Sequence, residues 1–138
     1  TMQWQPSYAL GIDEIDQQHQ KLLTHAAEII GAIQQEKSWS DIYYLIEALR
    51  KFASFHFQFE EALMRMFGYH EHDDHARSHE SFFTRLAALE RQAIHDQLEN
   101  NVVQMLTDWV MNHILCSDRN YVEYLKQIPG ISLGTGRA

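Results

Sequence analysis

Apolar residues recur at helical spacing along four stretches of the chain, with polar residues filling the faces between them. The first stretch runs from about Asp16 to Glu36 and carries Leu22, Leu23, Ala26, Ile29, Ile30 and Ile33. The second runs from about Asp41 to Phe67, with Ile42, Leu45, Ile46, Leu49, Phe52, Phe59 and Leu63. The third runs from about Asp73 to Ile94, with Phe82, Phe83, Leu86 and Leu89. The fourth runs from about Asn101 to Lys126, with Val102, Val103, Leu106, Trp109 and Val110. Ser38 and Ser40 are candidate N-caps, as is Asn100, and Gly68 is a candidate C-terminal stop. The connections are short, so neighbouring helices are expected to run antiparallel. No strand signal or internal repeat competes with this pattern. The expected fold is all-α: an antiparallel up-down four-helix bundle over residues 1–126. The segment before Asp16 reads as an ordered, non-helical arm, and residues 127–138 as a tail or the start of a linker.

Composition narrows the role. A chain of 138 residues with 45% hydrophobic content suits one domain around one core. A formal net charge of −8 argues against nucleic acid as a partner. No apolar run is long enough to span a bilayer, and no signal-peptide pattern opens the sequence. The one cysteine, Cys116, rules out a disulfide within the chain and disfavours a thiolate metal site. It reads as a buried, inert thiol, and cytoplasm is the expected compartment. The unusual feature is nine histidines.

Their positions matter more than their number. His19 continues the stripe Ile12, Ile15, His19, Leu22, Leu23, Ala26. His56 and Glu60 continue Leu49 and Phe52 towards Leu63 and Phe67. His75 and His79 lead into Phe82 and Leu86, and His113 follows Leu106, Trp109 and Val110. Each helix therefore presents polar, metal-competent groups on the face expected to be buried. Unpartnered, each such group would cost roughly 1–3 kcal/mol, and an isolated buried carboxylate far more. A central cation would accept the imidazole lone pairs and neutralise the carboxylates.

His56 and Glu60 are four apart, as are His75 and His79, so each pair shares a helix face. His113 and Asp118 are five apart, which a regular helix does not bring together. Either their side chains converge on one centre or the helix is locally wider there, as in a π-bulge. Nine histidines in this length give about 0.6 His-x3-His pairs by chance, so no single pair decides. Agreement of four helices is the stronger signal. Five imidazoles and two carboxylates exceed the needs of one ion and suit two ions bridged by the carboxylates. Nitrogen and oxygen donors favour iron or manganese and leave zinc open. His25, His70, His72 and His95 lie off the pattern: His70 and His72 read as residues of a polar surface loop, and His25 and His95 as exposed or half-exposed helix positions.

These residues resemble the hemerythrin family, in its bacterial branch. The resemblance covers nearly the whole chain to Tyr121. It rests on Asp16-Gln17-Gln18-His19, on His56 to Glu60 followed by Gly68-Tyr69, and on His75-x3-His79 with Phe82. It ends on Trp109-Val110-x-x-His113-Ile114 to Asp118 with Tyr121. The resemblance implies that His75, His79 and His113 hold one iron and His19 and His56 the other. Glu60 and Asp118 would bridge the pair, together with an oxo or hydroxo group from solvent. The iron with two histidines would have an open position for O2. No protein acid or base is implied, in keeping with an expected absence of other polar residues on the stripes. Trp109 and Val110 are candidates for the apolar wall of the O2 pocket, though ordinary core packing accounts for them equally well. Relatives often carry Leu where Val110 stands, which bears on the lifetime of the oxygenated form.

Three roles follow from the resemblance: an oxygen carrier or store, an oxygen or redox sensor, and a di-iron oxidase or peroxidase. A sensor would be joined to or docked on a signalling output domain, such as a diguanylate cyclase or chemotaxis receptor. The histidine-rich set favours reversible binding over an enzyme, because oxygen-activating bundles use more carboxylates and Glu-x-x-His pairs. No Glu-x-x-His occurs here. The Thr1-Met2 opening and the linker-like tail read as the ends of a domain taken from a longer protein, and leave carrier and sensor equally open.

Overall fold

The computed structural model describes residues 3–95 and 100–128, and within 100–128 it does not describe the side chains of 100–102 and 105. The order is a single 3-10 turn (Pro6–Tyr8), α1 (Asp13–Gln34), α2 (Trp39–Met66), α3 (His72–Ile94) and α4 (Asn100–Asn112). A π-helical segment (His113–Asp118) then leads directly into α5 (Arg119–Lys126), so these last three elements form one rod. No strand occurs among the described residues. α1 packs on α2, α2 on α3, α3 on α4 and α4 on α1, which closes a four-helix bundle.

The helix ends follow local chemistry. Ser38 Oγ accepts from Asp41 N–H and caps α2, which selects it over Ser40. Gly68 ends α2 with φ +68°, while Gly68 N–H donates to Arg65 O and Tyr69 N–H to Met64 O. This is a Schellman closure, with Tyr69 and Met64 packed in the same apolar cluster. Asn100, expected as a cap, lies within α4 as described, directly after residues outside the described ones. The α1 terminus closes in the same way, with Glu36 N–H on Ile33 O and Lys37 N–H on Ala32 O. There the left-handed position is held by exposed Glu36 at φ +55°. Glycine adopts this conformation without the Cβ clash. Glu36→Gly is therefore expected to stabilise the fold by about 0.5–1 kcal/mol, seen as a higher urea midpoint at unchanged slope. A lower midpoint would contradict this.

The core divides at the histidine layer. One cluster includes Leu22, Ala26, Ile46, Leu49, Phe82, Leu86 and Leu106. The other joins Leu10, Ile12 and Ile15 to Leu63, Met64, Tyr69, Tyr121, Val122 and Leu125. The expected non-helical arm thus needs correction. Its last part is already helix from Asp13, and Pro6–Tyr8 forms a turn. Asp16 explains the junction, because its carboxylate accepts from Leu10 N–H at 2.8 Å and Gly11 N–H at 3.2 Å. That anchors Leu10 and Ile12 under the end of the bundle. Gly11 suits the junction because its φ is +99°, a conformation that strains residues carrying a Cβ. Most of the expected tail, residues 129–138, lies outside the described residues.

Candidate metal centre

Five imidazoles and two carboxylates meet between the two clusters. α1 supplies His19, α2 supplies His56 and Glu60, and α3 supplies His75 and His79. The last rod supplies His113 and Asp118, the two ends of the π segment. A π-helix bonds residues five apart, and its wider turn brings them towards one face. The five-residue spacing thus corresponds to a wider helix. All seven side chains are buried: His75 is 6% exposed and the others no more than 2%.

The donor atoms fall into two sets. Glu60, His75, His79, His113 and Asp118 each offer an atom within 4.8 Å of the others. His19, His56, Glu60 and Asp118 do likewise. Glu60 and Asp118 belong to both sets. Imidazole Nε2 to carboxylate distances run from 2.6 Å for His19–Asp118 to 3.6 Å for His56–Asp118. His56–Glu60 is 3.0 Å, His75–Asp118 3.0 Å, His79–Glu60 3.1 Å and His113–Asp118 2.9 Å. First-row ions with bonds of about 2.0–2.2 Å set adjacent donors about 3 Å apart, so this spacing suits metal ligation.

Two hydrogen bonds fix which imidazole nitrogen turns towards the centre. His56 Nδ1–H donates to Gln18 Oε1 at 2.7 Å, and His79 Nδ1–H donates to Glu61 Oε2 at 2.7 Å. Each bond leaves an Nε2 lone pair facing the centre. Among the described residues, buried His56 Nε2, His75 Nε2, His113 Nε2, Glu60 Oε2 and Asp118 Oδ1 have no hydrogen-bond partner. Orphaned polar atoms concentrated at one point are what a cation would satisfy. The donor set therefore fits a pair of ions.

Without metal, protons provide the positive charge. Burial alone would lower the pKa of His19, but Asp118 and Glu60 raise it to about 9. Burial likewise opposes His75 and His113, and the same carboxylates raise them to about 9 and about 10. Burial would push the Glu60 carboxyl up, yet His56 and His113 hold it well below the usual range. Asp118, opposed by burial and by Glu60, is also held far down by His113 and His19.

The family model described as the hemerythrin HHE cation binding domain matches residues 10–125. The chain belongs to the hemerythrin family. It is 34% identical over 125 residues to the bacteriohemerythrin of Stenotrophomonas maltophilia (strain R551-3), covering 89% of this chain and 80% of that protein. It is 29% identical over 126 residues to the bacteriohemerythrin of Clostridium acetobutylicum, covering 87% and 98%. The hemerythrin-like protein of Naegleria gruberi is 27% identical over 118 residues, covering 86% and 88%. Family and cluster together fit a di-iron, O2-binding domain.

The hemerythrin centre has supports that the stripe reading passes over. Buried Gln18 orients His56, and half-buried Glu61 orients His79. Gln18 lies four before Leu22 and so stands on the stripe, whereas Glu61 carries no signal of spacing. Aromatic rings brace His79 again and one further imidazole: Phe57 stacks on His79 at 3.9 Å, and Trp109 on His113 at 4.9 Å. Tyr121 is fully buried beside His75, its ring 5.5 Å away. Burial, Glu60 and Asp118 push its phenol pKa well above the ordinary value. Polar residues besides the seven therefore do reach the buried faces, against the expectation that none would. Gln18→Leu is expected to weaken metal binding about 10–100-fold, the usual cost of losing an orienting partner. Competition with a metal indicator checks this, and unchanged affinity would remove the role.

Val110 is buried in the apolar cluster with Leu22, Leu23, Ala26 and Phe57, while Trp109 is partly buried against it. His25 and His72 are half-buried, and His70 and His95 exposed. His72 already belongs to α3 rather than to the preceding loop. Cys116, expected to be buried, is exposed. The wide turn accounts for this by directing His113, Ile114 and Asp118 inward and Cys116 outward. No described helix is long and apolar enough to cross a membrane.

Proposed function

We propose that this hemerythrin domain binds O2 reversibly at a pair of irons held by His19, His56, Glu60, His75, His79, His113 and Asp118. The observation that carries this reading is the unequal division of histidines, three in one donor set and two in the other, around shared Glu60 and Asp118. When bound, a ferrous pair supplies the two electrons on which O2 uptake draws. The residues supply the rest. His19 and His56 leave their side of the centre with fewer protein donors, so that side is the expected place for O2. Gln18–His56, Glu61–His79 and the stacked Phe57 and Trp109 rings keep the imidazoles aimed during uptake and release. Val110, within the apolar cluster, limits water and anions at the centre.

The set of five imidazoles and two carboxylates supports binding rather than an oxidase or peroxidase. Carriage or storage is the role the domain can perform with its own residues. Sensing requires in addition an output domain, fused or docked, that responds to the bundle.

The test is an anaerobic optical titration of the reduced, iron-loaded protein with O2, followed by O2 removal. An absorption band that appears and then disappears, with one O2 for each iron pair, supports the reading. Direct conversion to a stable oxidised form would replace it with a redox sensor or enzyme.

A further inference from the structure

Among the described residues, a cleft with mostly polar walls reaches His75 at the edge of the buried centre. It has a volume of about 110 Å³ and is lined by Tyr69, Glu71, Asp74, Ser78 and Ser117, with His75 among its walls. His75 is 94% buried, and its Nε2 has no hydrogen-bond partner among the described residues. It is also the most exposed of the seven site residues, at 6% against 2% or less. Nε2 stands 3.0 Å from Asp118 Oδ1 and 3.4 Å from Glu60 Oε1. One imidazole thus separates the cleft from the shared carboxylates. At the rim, Glu71 and Asp74 carry exposed carboxylates. A space of this size holds a few waters or one partly hydrated ion.

We propose that this cleft is the port by which divalent cations enter and leave the metal centre. The proposal rests on the metal-binding reading of the centre. Glu71 and Asp74 raise the local cation concentration at the mouth. Ser78 and Ser117 keep the walls small and offer hydroxyl oxygens to an ion shedding water. His75 rotates to take the ion from the cleft and hand it to Asp118 and Glu60. Asp74 also pairs with Arg77 and lies in the first turn of α3, where the helix dipole favours a carboxylate. Those contacts affect stability, whereas the port affects a rate.

The experiment follows ferrous iron under nitrogen. Loading of the metal-free chain is sampled over time, and extraction from the loaded chain is followed with a ferrous chelator. Ser78→Phe and Ser117→Phe, made separately, fill the cleft from opposite walls. Both are expected to slow loading and extraction by the same factor while final iron content matches the unsubstituted chain. Glu71→Gln with Asp74→Asn should slow loading about tenfold at low ionic strength, and the difference should vanish near 1 M salt. Thr84→Trp, an exposed change elsewhere on α3, should leave both rates unchanged. Unchanged rates in the cleft and rim variants would overturn the port while leaving the metal centre intact. Equal slowing by Thr84→Trp would also overturn it. Failure of the unsubstituted chain to take up iron would overturn both.

Discussion

Glu60→Ala is expected to abolish loading at both metal positions at once. Glu60 belongs to both donor sets and stands within 3.6 Å of His19, His56, His75, His79 and His113. Its loss removes a donor from each ion and half of the shared negative charge. The fall in affinity should exceed the roughly 10–100-fold that an outer partner is worth. His79→Ala removes a donor from one set alone. That variant should retain about one ion per chain, in the His19–His56 set, whereas Glu60→Ala retains neither. The measurement is the iron-to-protein ratio after anaerobic loading and desalting. Glu60→Ala also leaves raised-pKa imidazoles facing one carboxylate, so the metal-free fold should lose about 3–5 kcal/mol. Glu60→Gln keeps the shape and one oxygen, and helical content by circular dichroism separates lost binding from lost folding. A Glu60→Ala protein that is folded and carries two ions would refute the sharing of Glu60.

The second large effect is a reversal of pH dependence on metal loading. In the metal-free chain His19 and His75 are raised to about 9 and His113 to about 10. Groups raised in the fold stabilise it fully below their unfolded value of about 6.5. That stabilisation is lost as pH rises through 9 and 10. Glu60 and Asp118 are depressed, so their contribution is present above about 4.5 and is lost as pH falls. Metal-free stability should therefore peak between about pH 4.5 and 6.5. It should fall by several kcal/mol towards pH 10, at about 1.4 kcal/mol per group per pH unit before coupling reduces the total. Metal binding must expel the same protons. Loading at pH 7 should release about three, one from each raised imidazole, and should tighten as pH rises. Thermal melts of the metal-free chain and proton release into weak buffer check the two halves. A metal-free melting temperature that rises from pH 6.5 to 9, or loading without proton release, would contradict this account.

The legibility of the centre in the sequence follows the geometry of each helix. His56–Glu60 and His75–His79 are visible because four residues pass one α turn by only about 40°, so the pairs share a face with the apolar stripe. His113–Asp118 resists that reading, since five residues overshoot an α turn and only a wider helix reconciles them. Gln18 sits on the stripe and could be found by spacing, but glutamine beside histidine carries no distinctive charge. Glu61 could not be found this way, because its role depends on α3 crossing α2. The early start of α1 is hidden for a similar reason. Asp16 reaches back to Leu10 and Gly11 through space, and three apolar positions before His19 are too few to establish a helical period.

The wide turn between His113 and Asp118 takes up one residue more than an α turn would and returns the chain to the same angular phase. In a regular helix, deleting one residue rotates the remainder by roughly 100° about the axis. Removing Cys116 would instead convert the π turn to α and leave His113 and Asp118 four apart, a spacing that also shares a face. Tyr121, Val122 and Leu125, all buried to 0% exposure, would keep their facing towards Ile12 and Met64. The turn is thus the one stretch of this rod able to absorb a change of length, and a one-residue deletion should be far less disruptive there than in the regular turns on either side.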